Sequence, residues 1–130
     1  MSEKKLISVK GAAAPTAPLS PALTYENLVF VSGQIARDLV SGASLFGGIR
    51  EETEQVLKNV RQLLEAAGSS MDCVLKTTVF ITEKSYFEDM NKVYEKEFSA
   101  SVKPARSTIV TTLAGDAKVE IEAIAYIPKK

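Results

Sequence analysis

Ile49-Arg50-Glu51-Glu52-Thr53-Glu54-Gln55-Val56-Leu57-Lys58-Asn59-Val60-Arg61-Gln62-Leu63-Leu64-Glu65-Ala66-Ala67-Gly68 decides the fold of this 130-residue chain. Thr53, Val56, Leu57, Val60, Leu64 and Ala67 recur at three- and four-residue spacing, which draws one apolar stripe along a helix over residues 49–67. Glu51, Glu52 and Glu54 fall in its first turns, where the helix dipole favours negative charge. Gly68 follows as a natural stop, because it adopts positive φ without a Cβ clash.

Such a stripe must be buried against a second layer, and the flanking sequence supplies strands. Towards the N-terminus, residues 6–9 suit a short strand, and 11–21 hold three prolines that rule out a helix. A strand begins at Ala22, turns near Glu26-Asn27, and continues through Leu28-Val29-Phe30-Val31 to end at Ser32-Gly33-Gln34. Residues 41–48 read as a surface loop. Towards the C-terminus, residues 73–81 alternate, with Leu75, Thr77, Val79 and Ile81 on one face and Val74, Lys76, Thr78 and Phe80 on the other. A second helix is expected near Ser85, which with Glu88 fits a capping box, and Phe87, Met90, Val93, Tyr94 and Phe98 form its apolar side. Residues 105–113 and 118–127 complete the pattern as a final hairpin turning near Gly115-Asp116, and Pro128 stops it. The expected architecture is one α+β domain over residues 1–130, a mixed sheet with two helices on one face. In the last strand, Val119, Ile121, Ala123, Ala125 and Ile127 point inward. Ile124 and Tyr126 share the opposite face with Glu120 and Glu122 and, with Val74 and Phe80, mark it for burial against another subunit.

Composition excludes several kinds of chemistry. The chain has no histidine, so Ser-His-Asp triads, Cys-His pairs and histidine-ligated metals are ruled out. Cys73 is its single cysteine, which rules out an intrachain disulfide or a thiolate zinc cluster. Sixteen basic residues balance sixteen acidic ones, giving no electrostatic case for nucleic acid or an anionic membrane. The basic pairs Lys4-Lys5 and Lys129-Lys130 read as solvated chain ends. No apolar run reaches membrane-spanning length, and the N-terminal residues lack the apolar core of a secretory signal, so the expected location is cytoplasmic.

Two residues stand out as candidates for chemistry. Arg106, after Pro104-Ala105 and on a strand expected near the middle of the domain, can grip a carboxylate with two parallel hydrogen bonds. Glu120, brought beside Arg106 by the expected hairpin, can direct a water as general base, with Glu122 on the same face as its control. The competing reading makes Arg106 a structural charge and leaves the glutamates solvated or paired with Lys76 and Arg106. Ser32 offers a hydroxyl, Gly33 lets a ligand approach the backbone, and Asn91 offers an amide. Each is equally readable as ordinary structure.

Val31-Ser32-Gly33-Gln34-Ile35, Leu57-Lys58-Asn59-Val60, Ala66-Ala67-Gly68, Val74-Leu75-Lys76-Thr77-Thr78-Val79-Phe80-Ile81, Asn91-Lys92-Val93-Tyr94, Pro104-Ala105-Arg106-Ser107 and Val119-Glu120-Ile121-Glu122-Ala123-Ile124-Ala125 occur in that order. Together they resemble the YjgF/YER057c/UK114 family of reactive intermediate deaminases. The resemblance implies a chorismate-mutase-like fold of the bacillus type and a homotrimer with clefts between subunits. It also implies hydrolysis of small 2-imino acids, such as 2-iminobutanoate and 2-iminopropanoate, to 2-oxo acids and ammonia, with no cofactor and no metal. It casts Arg106 as the carboxylate clamp, Glu120 as the residue near the attacking water, and Ser32, Gly33, Asn91 and Thr108 as pocket positions. Two positions depart from the best-characterised branch. Leu19, in Ala17-Pro18-Leu19, stands where that branch has a tyrosine, and Thr108 where it commonly has a cysteine. The alternative is a non-catalytic protein that binds small carboxylates or regulates a partner. Ribonuclease activity draws no support from a neutral chain without histidine.

Overall fold

The computed structural model describes residues 3–129. Met1 and Ser2 of the N-terminal stretch, and Lys130 of the terminal lysine pair, lie outside the described residues. The elements run β1 (Lys5–Ile7), β2 (Ala22–Tyr25), β3 (Leu28–Gln34), α1 (Ile49–Ala66), β4 (Val74–Ile81), α2 (Phe87–Glu97), β5 (Ala105–Val110) and β6 (Val119–Tyr126). The strands form one mixed sheet in the order β1-β2-β3-β6-β4-β5, antiparallel except for the parallel pair β4 and β5.

Both helices cover one face, as the apolar stripes require. Val56, Leu57, Val60, Leu63 and Leu64 of α1 and Met90, Val93 and Tyr94 of α2 bury against Val29, Val31, Val79, Ile81, Val119, Ile121, Ala123 and Ala125. Fully buried side chains of this size contribute about 1.5–3 kcal/mol each, so this layer dominates stability. Gly68 ends α1 with φ +86°, the conformation that favours glycine there. Among the described residues no helix is long and apolar enough to cross a membrane.

The structure corrects four expectations. The last two strands are not a hairpin: β5 lies at the sheet edge, parallel to β4, and β6 lies on the other side of β4. The cause is α2, which stands between β4 and β5 and makes them a crossover pair, and crossovers join parallel neighbours. Arg106 is therefore on an edge strand, not a central one. Second, the pairing of β4 with β6 slips by one residue between Val74 and Lys76. This bulge turns Val74 into the core and leaves Leu75 47% exposed on the open face, reversing their expected sides. Third, Ser85 forms no capping box. It sits inside a single 3-10 turn, Lys84–Tyr86, and α2 starts at Phe87 without a side-chain cap. Fourth, Phe87 is 43% exposed instead of joining the core.

Glu52 does more than complement the helix dipole. Its carboxylate is fully buried and accepts hydrogen bonds from the backbone N–H of Gly47 (3.1 Å) and of Lys118 (2.9 Å). Lys118 Nζ pairs with it at 3.4 Å. It thereby ties the loop before α1 to the residue before β6. Removing one side of a buried charged network leaves the other donors unpaired and costs about 3–5 kcal/mol. Glu52→Ala is expected to lower unfolding free energy by that amount in urea titrations, and Glu52→Gln, which keeps an acceptor, by clearly less.

Candidate functional site

The candidate residues fall into two groups on opposite faces of the sheet. On the helix face, Arg106 pairs in register with Thr77 of β4 and reaches towards α2. Its Nη1 donates to Asn91 Oδ1 at 2.7 Å. The guanidinium carbon lies 4.7 Å from the ring centroid of Tyr94 and 5.8 Å from that of Phe87. Phe87, Asn91 and Tyr94 are spaced four and three residues apart, so one face of α2 presents all three. Thr108, two residues along β5, lies in register with Val79 on the same side of the strand as Arg106.

On the open face, Glu120 stands in register with Phe80 of β4, flanked in sequence by the fully buried Val119 and Ile121. Its carboxylate lies against Gly33, with the carboxyl carbon 2.9 Å from where a Cβ on residue 33 would stand, so any side chain there would push the carboxylate aside. The approach depends on a second bulge. The register of β3 with β6 shifts by one residue between Val31 and Gln34, where Ser32 and Gly33 stand against Glu122 alone. Ser32-Gly33-Gln34 thus lies within β3 as an irregularity and is not merely its end. Ser32 Oγ donates to the Ser20 carbonyl at 2.6 Å, and its N–H donates to the Pro21 carbonyl at 3.0 Å. The Ser32 hydroxyl proton is thus engaged within the chain, where it ties β3 to the segment that holds Ser20. Leu19, 53% exposed, lines with Ser32, Gly33 and Gln34 a largely apolar groove of about 340 Å³.

Arg106 and Glu120 are not neighbours. β4 separates their strands by two strand spacings, roughly 10 Å, and their side chains leave opposite faces. The expectation that the final hairpin sets them side by side is corrected accordingly. Glu122, on the open face with Lys76, Thr78 and Ile124, lines a shallow depression of about 680 Å³. Among the described residues, neither Lys76 nor Arg106 forms an ion pair with Glu120 or Glu122. Nor do three or more Cys, Asp or Glu side chains converge there to hold a metal ion. Phe87, Tyr94 and Thr77 were readable as core alone. The four-then-three spacing of Phe87, Asn91 and Tyr94 is the signal that could have grouped them.

Residues 10–127 match the Endoribonuclease L-PSP family model, and the chain belongs to this YjgF/RidA family. A RutC family protein of Pyrococcus horikoshii is 42% identical over 124 residues, 95% of this chain and 98% of that protein. The mouse 2-iminobutanoate/2-iminopropanoate deaminase is 39% identical, over 94% of this chain and 90% of its own. Among solved structures, E. coli TdcF with bound serine superposes with a TM-score of 0.85 at 34% identity, covering 94% of this chain and 98% of its own.

Burial first, and the neighbouring Glu122 charge second, push the Glu120 carboxyl above the ordinary glutamate range. The unfolded chain releases this proton at the usual glutamate value, so stability is fully present below that value. It is lost as pH rises from there to the raised folded value. The expected consequence is measured in an Arg106→Ala background, which removes the candidate-site guanidinium. There, adding Glu120→Gln shifts the urea midpoint upward at pH 7, and the difference disappears below about pH 4. A Gln variant with no advantage at pH 7 would contradict the burial penalty.

Proposed function

We propose that this protein hydrolyses small 2-imino acids to 2-oxo acids and ammonia, at sites built from two copies of the chain. The observation that carries the reading is the split site: an oriented guanidinium on one face and a partly buried carboxylate of raised pKa on the other. Deaminases among the relatives and the bound serine of TdcF support a small carboxylate as the ligand. The exposed Leu75, Phe30 and Tyr126 on the open face support its burial against further copies, which the reading takes as a trimer.

In such a cleft Arg106 pairs with the substrate carboxylate, and Asn91 keeps the guanidinium oriented. Glu120 of the adjoining copy accepts a proton from water as the water oxygen bonds to the C=N carbon. The π electrons pass to nitrogen, giving a tetrahedral carbinolamine. With the imine nitrogen protonated on entry, Glu120 then returns the proton to the carbinolamine nitrogen, the C–N bond breaks as the hydroxyl proton passes to Glu120, and ammonia leaves a 2-oxo acid. The substrate carbon is intrinsically electrophilic, so positioning and electrostatics suffice. Leu19 gives the neighbouring groove an apolar wall and suits an alkyl substituent.

Arg106→Ala is expected to weaken 2-oxobutanoate binding about 30- to 1000-fold by calorimetry, the loss typical of a charge-assisted clamp. Glu120→Gln should leave that binding within several-fold and slow 2-iminobutanoate hydrolysis about 10²- to 10⁴-fold, while Glu122→Gln does far less. Full turnover by a correctly assembled Glu120→Gln variant sinks the mechanism.

Mixing the two inactive variants tests the shared site directly. Co-refolded one to one, Arg106→Ala and Glu120→Gln chains are expected to regain about one quarter of wild-type activity, the share of intact sites in randomly mixed trimers. No recovery in verified mixed oligomers would show that both residues must come from one chain.

A further inference from the structure

Arg106 extends from an edge strand, where a long guanidinium side chain ordinarily samples many rotamers. Here three contacts restrain it, from Phe87, Asn91 and Tyr94. Tyr94 lies with its ring centroid 4.7 Å from the guanidinium carbon. That ring is itself fixed at both ends. Its hydroxyl and Thr77 Oγ1 share a buried hydrogen bond of 2.7 Å, and Phe98 packs against it with centroids 4.5 Å apart. Thr77 is also the residue in register with Arg106, so the tether runs from the neighbouring strand through α2 and back to the arginine. The single hydrogen bond of the guanidinium among the described residues uses Nη1, on Asn91, which leaves Nε and Nη2 to receive a ligand.

We infer that Tyr94, tethered through its hydroxyl to Thr77, is a positioning residue that orients the Arg106 guanidinium before any ligand arrives. The inference rests on the reading above for its effect on carboxylate binding, but not for its effect on the arginine. An aromatic face attracts the cation and holds it over the ring, while the Asn91 bond limits its rotation there. Order established in advance is entropy that the ligand does not have to supply. The two α2 residues therefore act on different degrees of freedom of one side chain.

The test uses the full-length protein in two measurements. The first is the order parameter of the Arg106 Nε–H bond by nitrogen-15 relaxation without ligand. Tyr94→Leu is expected to lower it below about 0.6, the flexible range, and Tyr94→Phe, which keeps the ring, to change it much less. Should Tyr94→Leu fail to fold, Thr77→Val cuts the tether, leaves the ring present, and is expected to lower the order by a smaller amount. The second is a double-mutant cycle on 2-oxobutanoate binding. Tyr94→Leu is expected to weaken binding about 10-fold when Arg106 is present and less than about 2-fold in the Arg106→Ala background. Tyr94→Phe should recover most of the loss. A purely structural tyrosine would cost the same in both backgrounds, and that result, or an Arg106 order parameter unmoved by the variants, overturns the inference. If the unaltered protein binds no 2-oxobutanoate, the carboxylate reading fails instead, and the relaxation measurement alone decides the role of Tyr94.

Discussion

The last strand of the chain lies inside the sheet, between β3 and β4, and the other features of the molecule depend on that placement. β6 arrives after every other element, yet Val119, Ile121, Ala123 and Ala125 form the floor on which α1 packs. A central strand contributed by distant sequence is an entropically demanding arrangement, because its partners are separated from it by long loops. Glu52 addresses the point of entry. Its buried carboxylate accepts from the Lys118 N–H and pairs with the Lys118 ammonium, so α1 holds the residue that precedes β6. A buried charge is a costly device. What it secures is register: a slip of one residue along β6 would send Glu120 into the core and Ile121 out of it.

Alternation along β6 also sorts the chemistry. Because Ile121 faces the helices, Glu120 and Glu122 face away from them, whereas Arg106 reaches α2 on the covered side. Under the proposed function, one protomer therefore carries both halves of the site without being able to bring them together. Flexing does not repair this, since the two residues are divided by the hydrogen-bonded body of β4. The open face offers the remedy, with exposed Leu75, Phe30 and Tyr126 beside Glu122 and Ile124. Apolar area of this kind is stabilised by association, and closed rotational symmetry lets one surface meet a different surface of the next copy. Under the proposed function, assembly and catalysis become the same event.

Much of this was legible in the sequence, and the failures have definite physical causes. The stripe in α1 and the alternation of β6 appeared at their expected places, because burial on one face imposes a period that needs no partner to be recognised. Strand neighbours were less legible. Residues 105–113 and 118–127 look like a hairpin from their short connection, but α2 makes the first of them a crossover partner of β4. The bulges at Leu75 and at Ser32-Gly33 were also hidden. Each inserts a residue whose cost or benefit depends on the facing strand, and for Gly33 the facing group is the Glu120 carboxylate, nearly ninety positions away. The fold was read from local periodicity, and the site residues from side-chain chemistry together with family resemblance. Which of those residues touch was set by long-range pairing, and no short window contains it.

Under the proposed function, the absence of histidine shapes what a single carboxyl must do. Imine hydrolysis needs a proton taken from water and later a proton given to nitrogen, roles that an imidazole would fill near neutral pH. A glutamate at its ordinary value is a weak base for the first step and, once protonated, an acid that returns to ionised form too readily to wait for the second. Raising its pKa narrows both gaps, and here burial together with Glu122 acts in that direction. A guanidinium brought close by a second copy would pull the value back down. In the proposed cleft that cation is already paired with the ligand carboxylate, which offsets most of its field at Glu120. The substrate thus neutralises the one group that would spoil the base, and the carboxyl is poised for both proton transfers when the imine is bound.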